Sequence, residues 1–182
     1  MVDNIKHAPS PNFNDRPAGT IIASIIIHYS GMECVEDVIA HFQNPEPENG
    51  NSVSAHYVIC RAGQITNMVC PTKRAWHAGK SQFGCREEFN HFSIGIELYN
   101  PGHNRGYIAY TNEQIASAVD LVAKLYKRYP IKPELVLGHS DISPERKQDP
   151  GELFPWEEFT SRKLAIRPEN TSETQVLTLR HG

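Results

Sequence analysis

Thr20-Ile-Ile-Ala-Ser-Ile-Ile-Ile27-His28 is the stretch that decides the architecture. It is β-branched and almost continuously apolar. A strand with one wet face would alternate instead, so this run reads as a central strand buried on both faces. Such a strand needs cover above and below, which calls for helices on a sheet. His28 stands where the strand ends, a usual place for ligand-binding side chains in sheets of this kind.

After this strand, Glu33–Phe42 carries Val35, Val38, Ile39 and Phe42 on one helical stripe, and Pro45, Pro47 and Gly50 stop it. Ser54–Cys60 and Ile65–Val69 flank Arg61-Ala-Gly63-Gln and read as a β-hairpin. Lys73–Glu88 lacks a clean period and contains Gly79 and Gly84, which predicts a long surface loop of the kind that carries function. Ser93-Ile-Gly-Ile-Glu-Leu98 alternates and ends at Asn100-Pro-Gly102, giving another strand.

Thr111–Tyr129 is the strongest helix. Its Thr-x-x-Gln start is a capping pattern, Ile115, Val119, Val122 and Tyr126 follow at helical spacing, and Pro130 closes it. Glu134–Leu137 predicts a short buried strand, Gly138–Gly151 a Pro-bearing loop, and Pro155–Leu164 a closing helix opened by proline. The expected fold is therefore mixed α/β: a central, mostly β-sheet layer with a hairpin, flanked by helices. The domain spans 20–165, preceded by an irregular leader over 1–19 that wraps it and followed by a polar tail over 166–182.

Composition narrows the function. With 182 residues the chain fits one domain, and its formal charge of −3 creates no basic field to attract nucleic acid or an anionic membrane. The Ile21–Ile27 segment is far shorter than the roughly 18 apolar residues a membrane helix needs. Met1 through Ser10 lacks the apolar core of a secretory leader, which points to the cytoplasm, or to the periplasm where a leader has been removed. Cys34, Cys60, Cys70 and Cys85 form no Cys-x-x-Cys pair, so reduced thiols are expected rather than a zinc knuckle.

Chemistry-bearing residues gather at strand ends. His28, Glu97 and His139 each stand at or beside the C-terminal end of an expected strand and so are candidates for one cleft. In Gly138-His-Ser-Asp-Ile-Ser-Pro-Glu-Arg-Lys-Gln-Asp-Pro-Gly151, His139, Lys147 and Asp149 lie in a loop stiffened by Pro144 and Pro150. Imidazole and carboxylate are good zinc ligands, and two histidines plus one acid leave a fourth tetrahedral position for water. Zinc lowers the pKa of bound water to about 7, which makes hydrolysis the natural reaction. A fixed ammonium at Lys147 suits a developing oxyanion, and a carboxyl at Glu97 suits proton transfer to a leaving nitrogen. Taken singly, each has a plainer reading: His28 as a backbone cap, Lys147 as a solvated charge paired with Asp149 or Glu145, Glu97 as a structural hydrogen-bonder.

Five pieces in order carry a resemblance: Ile-Ile-Ile-His28-Tyr-Ser, Ser-Ala-His56-Tyr, Ala-Trp76-His77-Ala-Gly79, Phe-Ser-Ile-Gly-Ile-Glu97, and the Gly138–Gly151 segment. From about Ile22 to Trp156 the chain resembles the zinc-dependent N-acetylmuramoyl-L-alanine amidases of the type-2 amidase or peptidoglycan-recognition-protein fold, in particular the AmpD and AmiD branches. The resemblance implies a zinc (Zn2+) site formed by His28, His139 and Asp149, with Glu97 and Lys147 as the catalytic pair. It also implies that Trp76 and His77 line the substrate groove. The implied reaction is hydrolysis of the amide joining N-acetylmuramic acid, or its 1,6-anhydro form, to L-alanine in peptidoglycan fragments.

The chain departs from phage-lysozyme-type members, which have a catalytic tyrosine where Ala55 stands and no glutamate at position 97; the resemblance to the AmpD and AmiD branches implies that Glu97 carries that duty here. Tyr29 follows His28, which is closer to the AmiD pattern than to the asparagine of the AmpD branch. A non-catalytic peptidoglycan-binding module on the same fold is the rival, but in such a module the ligand set is typically broken, whereas Asp149, Lys147 and Glu97 are all present. The expected partner is a muropeptide, with no nucleic acid and no membrane, and the chain is read as a monomer. It ends soon after the catalytic stretch, which favours soluble muropeptides over a polymer that gains from a second binding domain. His56 reads as a structural hydrogen-bonder, and His7, His41, His91, His103 and His181 as surface or packing residues.

Overall fold

The computed structural model describes residues 5–48 and 50–167. In chain order its strands are β1 (Lys6–His7), β2 (Phe13–Asp15), β3 (Ser24–Tyr29), β4 (Tyr57–Ile59), β5 (Ile65–Asn67), β6 (Lys73–Ala75), β7 (Gln82–Phe83), β8 (Arg86–Glu87), β9 (Ser93–Leu98) and β10 (Val136–Gly138). The helices are α1 (Val35–Gln43), α2 (Asn112–Arg128) and two single turns, α3 (His139–Ile142) and α4 (Glu157–Thr160). Six strands form one sheet in the order β1-β5-β4-β9-β3-β10. Only the β4–β5 hairpin is antiparallel in it; β3 runs parallel to both β9 and β10.

The near-continuous apolar run of β3 is explained by its two covered faces. Ile25 and Ile27 pack toward α2 with Ile94, Ile96 and Leu98 of β9, while Ile26 points the other way, onto Ala78, Phe89, Leu137 and Ile142. Burying each such side chain contributes about 1.5–3 kcal/mol. The second face is shared: α1 covers Val58 of β4 with Val38 and Phe42, and beyond it the sheet is open to a groove.

The helix α2 starts where the Thr-x-x-Gln pattern places it. Thr111 Oγ1 accepts from Gln114 N–H and Gln114 Oε1 accepts from Thr111 N–H, a complete capping box. Its buried stripe includes Ile115, Val119, Val122 and Leu125.

Several expectations need adjustment. The leader is not irregular throughout: β1 extends the sheet beside β5, and β2 pairs antiparallel with β6. Strands of two or three residues are too short to leave a periodicity to read. Arg16 then ties the leader down, its guanidinium donating to the carbonyls of Pro71, Asn90, His91 and Ser93. The loop over Lys73–Glu88 likewise contains β6 and the small β7–β8 hairpin.

The strand expected at Glu134–Leu137 begins two residues later, after a turn at Pro133–Leu135, and the closing helix shrinks to α4 inside a series of turns. Residues 1–4 of the leader and 168–182 of the tail lie outside the described residues. No helix among the described residues is long and apolar enough to cross a membrane.

Candidate active site

The site stands on the α1 side of the sheet, at the C-terminal ends of three adjacent parallel strands. β3 supplies His28 and β9 supplies Glu97. His139 follows β10 directly, opening α3. The loop after α3 then folds back: Ser140 N–H donates to Asp149 C=O at 2.9 Å, and Arg146 N–H donates to Ser143 C=O at 3.2 Å. Gly138 is needed for this return, since a Cβ there would stand 2.6 Å from Cδ of Pro150.

His28, His139 and Asp149 are all buried, and their ligand atoms converge. His28 Nδ1 lies 3.0 Å from both His139 Nδ1 and Asp149 Oδ2, which are 3.1 Å from one another. His139 gives its Nε2–H to the Ala78 carbonyl at 3.0 Å, so its Nδ1 carries a lone pair. A lone pair and a carboxylate oxygen that face each other this closely, with a third nitrogen beside them, repel unless a cation lies between. The donor set fits zinc: bonds of about 2.0–2.1 Å in tetrahedral array give ligand separations of about 3.3 Å. The site meets zinc's preference for two imidazoles and one carboxylate, with a fourth position open to the groove.

The electrostatics agree with a cation-seeking centre. Burial, then the neighbouring His139, lowers the His28 pKa to about 4, so the ring is neutral and able to ligate near neutrality. Burial alone would raise the Asp149 carboxyl, but its close contacts with the His139 and His28 rings outweigh that and hold the group well below the usual carboxylate range. Glu97 moves the other way. Burial first and the Asp149 charge second push it up to about 8, against the pull of Lys147, and its Oε2 is buried without a hydrogen-bond partner.

One groove of about 540 Å³ is lined by all seven residues singled out from the sequence: His28, Trp76, His77, Glu97, His139, Lys147 and Asp149. Residues 18–152 match the family described as N-acetylmuramoyl-L-alanine amidase. The chain belongs to that family. It is 45% identical over 179 residues to the 1,6-anhydro-N-acetylmuramyl-L-alanine amidase AmpD of Escherichia coli, covering 91% of this chain and 94% of that one. Against N-acetylmuramoyl-L-alanine amidase AmiD of E. coli it is 35% identical over 160 residues, which is 81% of this chain and 55% of AmiD.

Among solved structures, an AmpD crystal structure matches at a TM-score of 0.70 and 32% identity, covering 91% of this chain and 97% of that one. The complex of E. coli AmiD with anhydro-N-acetylmuramic acid-L-Ala-D-γ-Glu-L-Lys matches at 0.73 and 30%, covering 85% and 63%.

In this amidase, Trp76 is half-buried beside the groove, its Nε1–H held by Asn14 Oδ1 of the leader at 3.0 Å. His56 is a structural hydrogen-bonder, as expected: Nδ1 accepts from Gly95 N–H at 2.9 Å and Nε2 donates to Lys73 C=O at 3.1 Å. Burial, then the Arg16 charge, lowers its pKa to about 3.

Three features of the amidase escaped the sequence. Tyr29 borders the groove and meets His103 Nδ1 at 2.8 Å, with His103 Nε2 reaching Glu152 at 2.9 Å. The Arg146 guanidinium donates to the carbonyls of Ala78 and Lys80, clamping the loop that carries Lys147 and Asp149 to the Trp76–Lys80 stretch. His77 has both ring nitrogens engaged by protein atoms. Tyr29 left a signal as the aromatic directly after His28, and His77 stood in the Ala-Trp-His-Ala-Gly piece with substrate contact as its expected role.

Proposed function

We propose that this amidase hydrolyses the amide between the lactyl group of N-acetylmuramic acid, or its 1,6-anhydro form, and the L-alanine of a soluble muropeptide. The observation that carries the reading is the convergence of His28, His139 and Asp149 at 3.0–3.1 Å in the groove that Glu97 and Lys147 also line. Zinc held by those three residues supplies Lewis acidity that activates water near neutral pH.

The chain's own groups do the rest. Glu97 takes the proton from water as the oxygen adds to the carbonyl carbon. Its pKa near the operating pH suits it to give that proton to the departing nitrogen. The Lys147 ammonium stabilises the oxyanion that develops on the carbonyl oxygen. The C–N bond breaks, leaving a lactyl carboxylate and a peptide with a free L-alanine amine.

Relatives support the substrate class. AmiD was solved with an anhydro-muramyl peptide, and AmpDh3 from Pseudomonas aeruginosa, 29% identical with a TM-score of 0.71, with anhydromuramic pentapeptide. The free thiols Cys34, Cys60, Cys70 and Cys85 suit the cytoplasm, where we place the enzyme as a monomer.

Mass spectrometry of products from paired muropeptides with reducing and 1,6-anhydro ends, with and without chelator, tests bond, metal and preference together. Release of free stem peptide that stops on chelation is the expected result. Intact muropeptides, or cleavage indifferent to chelation, contradict it.

A further inference from the structure

His77 occupies a place that substrate contact does not explain. The backbone N–H groups of His77 and Ala78 both donate to Asn90 Oδ1, at 3.0 and 2.8 Å, which fixes the stretch over the sheet. The ring is inserted against β9 at Gly95, where a Cβ would stand 2.4 Å from its Cγ; the glycine is what admits it. Its Nδ1 lies 3.0 Å from His28 Nε2, and its Nε2 lies 3.2 Å from Ser93 Oγ.

The protons of this chain are fixed from its far end. A serine hydroxyl has one proton, and Ser93 gives it to the Phe89 carbonyl, which can only accept. Ser93 Oγ therefore accepts from His77, which puts the His77 proton on Nε2 and leaves Nδ1 as a lone pair. That lone pair takes the Nε2–H of His28. The proton of His28 is thereby held away from the metal site, and its Nδ1 faces His139 Nδ1 and Asp149 Oδ2 bare.

We infer that His77 is a positioning residue: through the Phe89–Ser93–His77–His28 chain it fixes the His28 ring and tautomer, so that Nδ1 is presented for ligation. The inference rests on the metal reading above and extends it to a residue that touches neither metal nor substrate through its ring nitrogens. Outer partners of this kind raise ligand basicity, and their loss typically costs 10–100-fold in metal affinity.

The test measures zinc affinity by competition with a chromophoric chelator, alongside the melting temperature of the metal-free protein. His77→Leu removes the acceptor and is expected to weaken zinc binding by about 10–100-fold. His77→Asn, whose Oδ1 stands where Nδ1 stood, is expected to recover most of that loss. Wild-type affinity in His77→Leu overturns the inference, and so does an equal loss in both variants, which would point to packing alone.

Should the variants fail to fold, long-range ¹H–¹⁵N spectra of the zinc-loaded wild type decide. His77 and His28 both protonated on Nε2 is the expected pattern, and His77 protonated on Nδ1 overturns it. His139→Ala separates the two levels: zinc binding that ignores it removes the metal reading itself, whereas His139-dependent binding that ignores His77→Leu removes only the positioning role.

Discussion

His28 and Glu97 are register partners on the adjacent parallel strands β3 and β9, so their side chains leave the same face of the sheet at the same height. This pairing places a proposed metal ligand next to a carboxyl outside the cluster: His28 converges with His139 and Asp149, while Glu97 keeps a buried oxygen free of protein partners. Glu97→Gln should therefore retain one equivalent of zinc yet lower turnover by about 10²-fold or more, the scale of a lost proton-transfer group. Steady-state kinetics on a muropeptide, with metal content measured on the same sample, checks both halves. Near wild-type turnover would remove Glu97 from the mechanism.

The same carboxyl makes a pH prediction for the metal-free protein. Its folded pKa is about 8 against an ordinary 4.5. Below the ordinary value both folded and unfolded chains hold the proton and Glu97 imposes no penalty. As pH rises from there toward 8, the unfolded chain releases the proton while the folded one must keep it, so stability falls. The loss is on the order of a few kcal/mol by pH 8. Denaturant unfolding of metal-free wild type and Glu97→Gln at pH 5 and pH 8 should show the variant gaining relative stability at the higher pH. A constant difference between the two proteins would contradict the assignment.

Lys147 lines the groove from the stiff loop two residues before Asp149. Lys147→Met keeps the stem and removes the charge, so it should lower kcat by about 10²–10³-fold, as loss of an oxyanion partner does, with a smaller effect on KM. A change confined to KM would make Lys147 a substrate-binding residue instead.

His139→Ala leaves one imidazole and one carboxylate, and zinc and activity should be lost together. In wild type, zinc at 100 times its Kd should stabilise the fold by about 2.7 kcal/mol, an increment that chelator reverses. Thermal unfolding of both proteins with and without zinc reads this directly. A zinc-dependent shift that survives in His139→Ala would place the metal elsewhere.

Much of this was legible in the sequence because particular residues carry unambiguous physics. The Ile-rich, β-branched β3 read as a strand covered on both sides, and Thr111 with Gln114 marked the start of α2. His28, Glu97 and His139 could be grouped because parallel strands bring their C-terminal ends together. What escaped rests on contacts without a local pattern. The pairing of β1 and β2 is made by backbone groups of two or three residues, and Arg16 is held by carbonyls 55 to 77 positions away. The role of His77 depends on a missing Cβ at Gly95 and on which way a hydroxyl of Ser93 points, and neither has a signature in spacing.

Anomalous scattering at the zinc edge, from crystals grown with the metal, bears most directly on the central claim. One strong peak bonded to His28 Nδ1, His139 Nδ1 and Asp149 Oδ2 at about 2.0–2.2 Å is the expected result. A peak that leaves out any of the three, or lies outside the groove shared with Glu97 and Lys147, would contradict it.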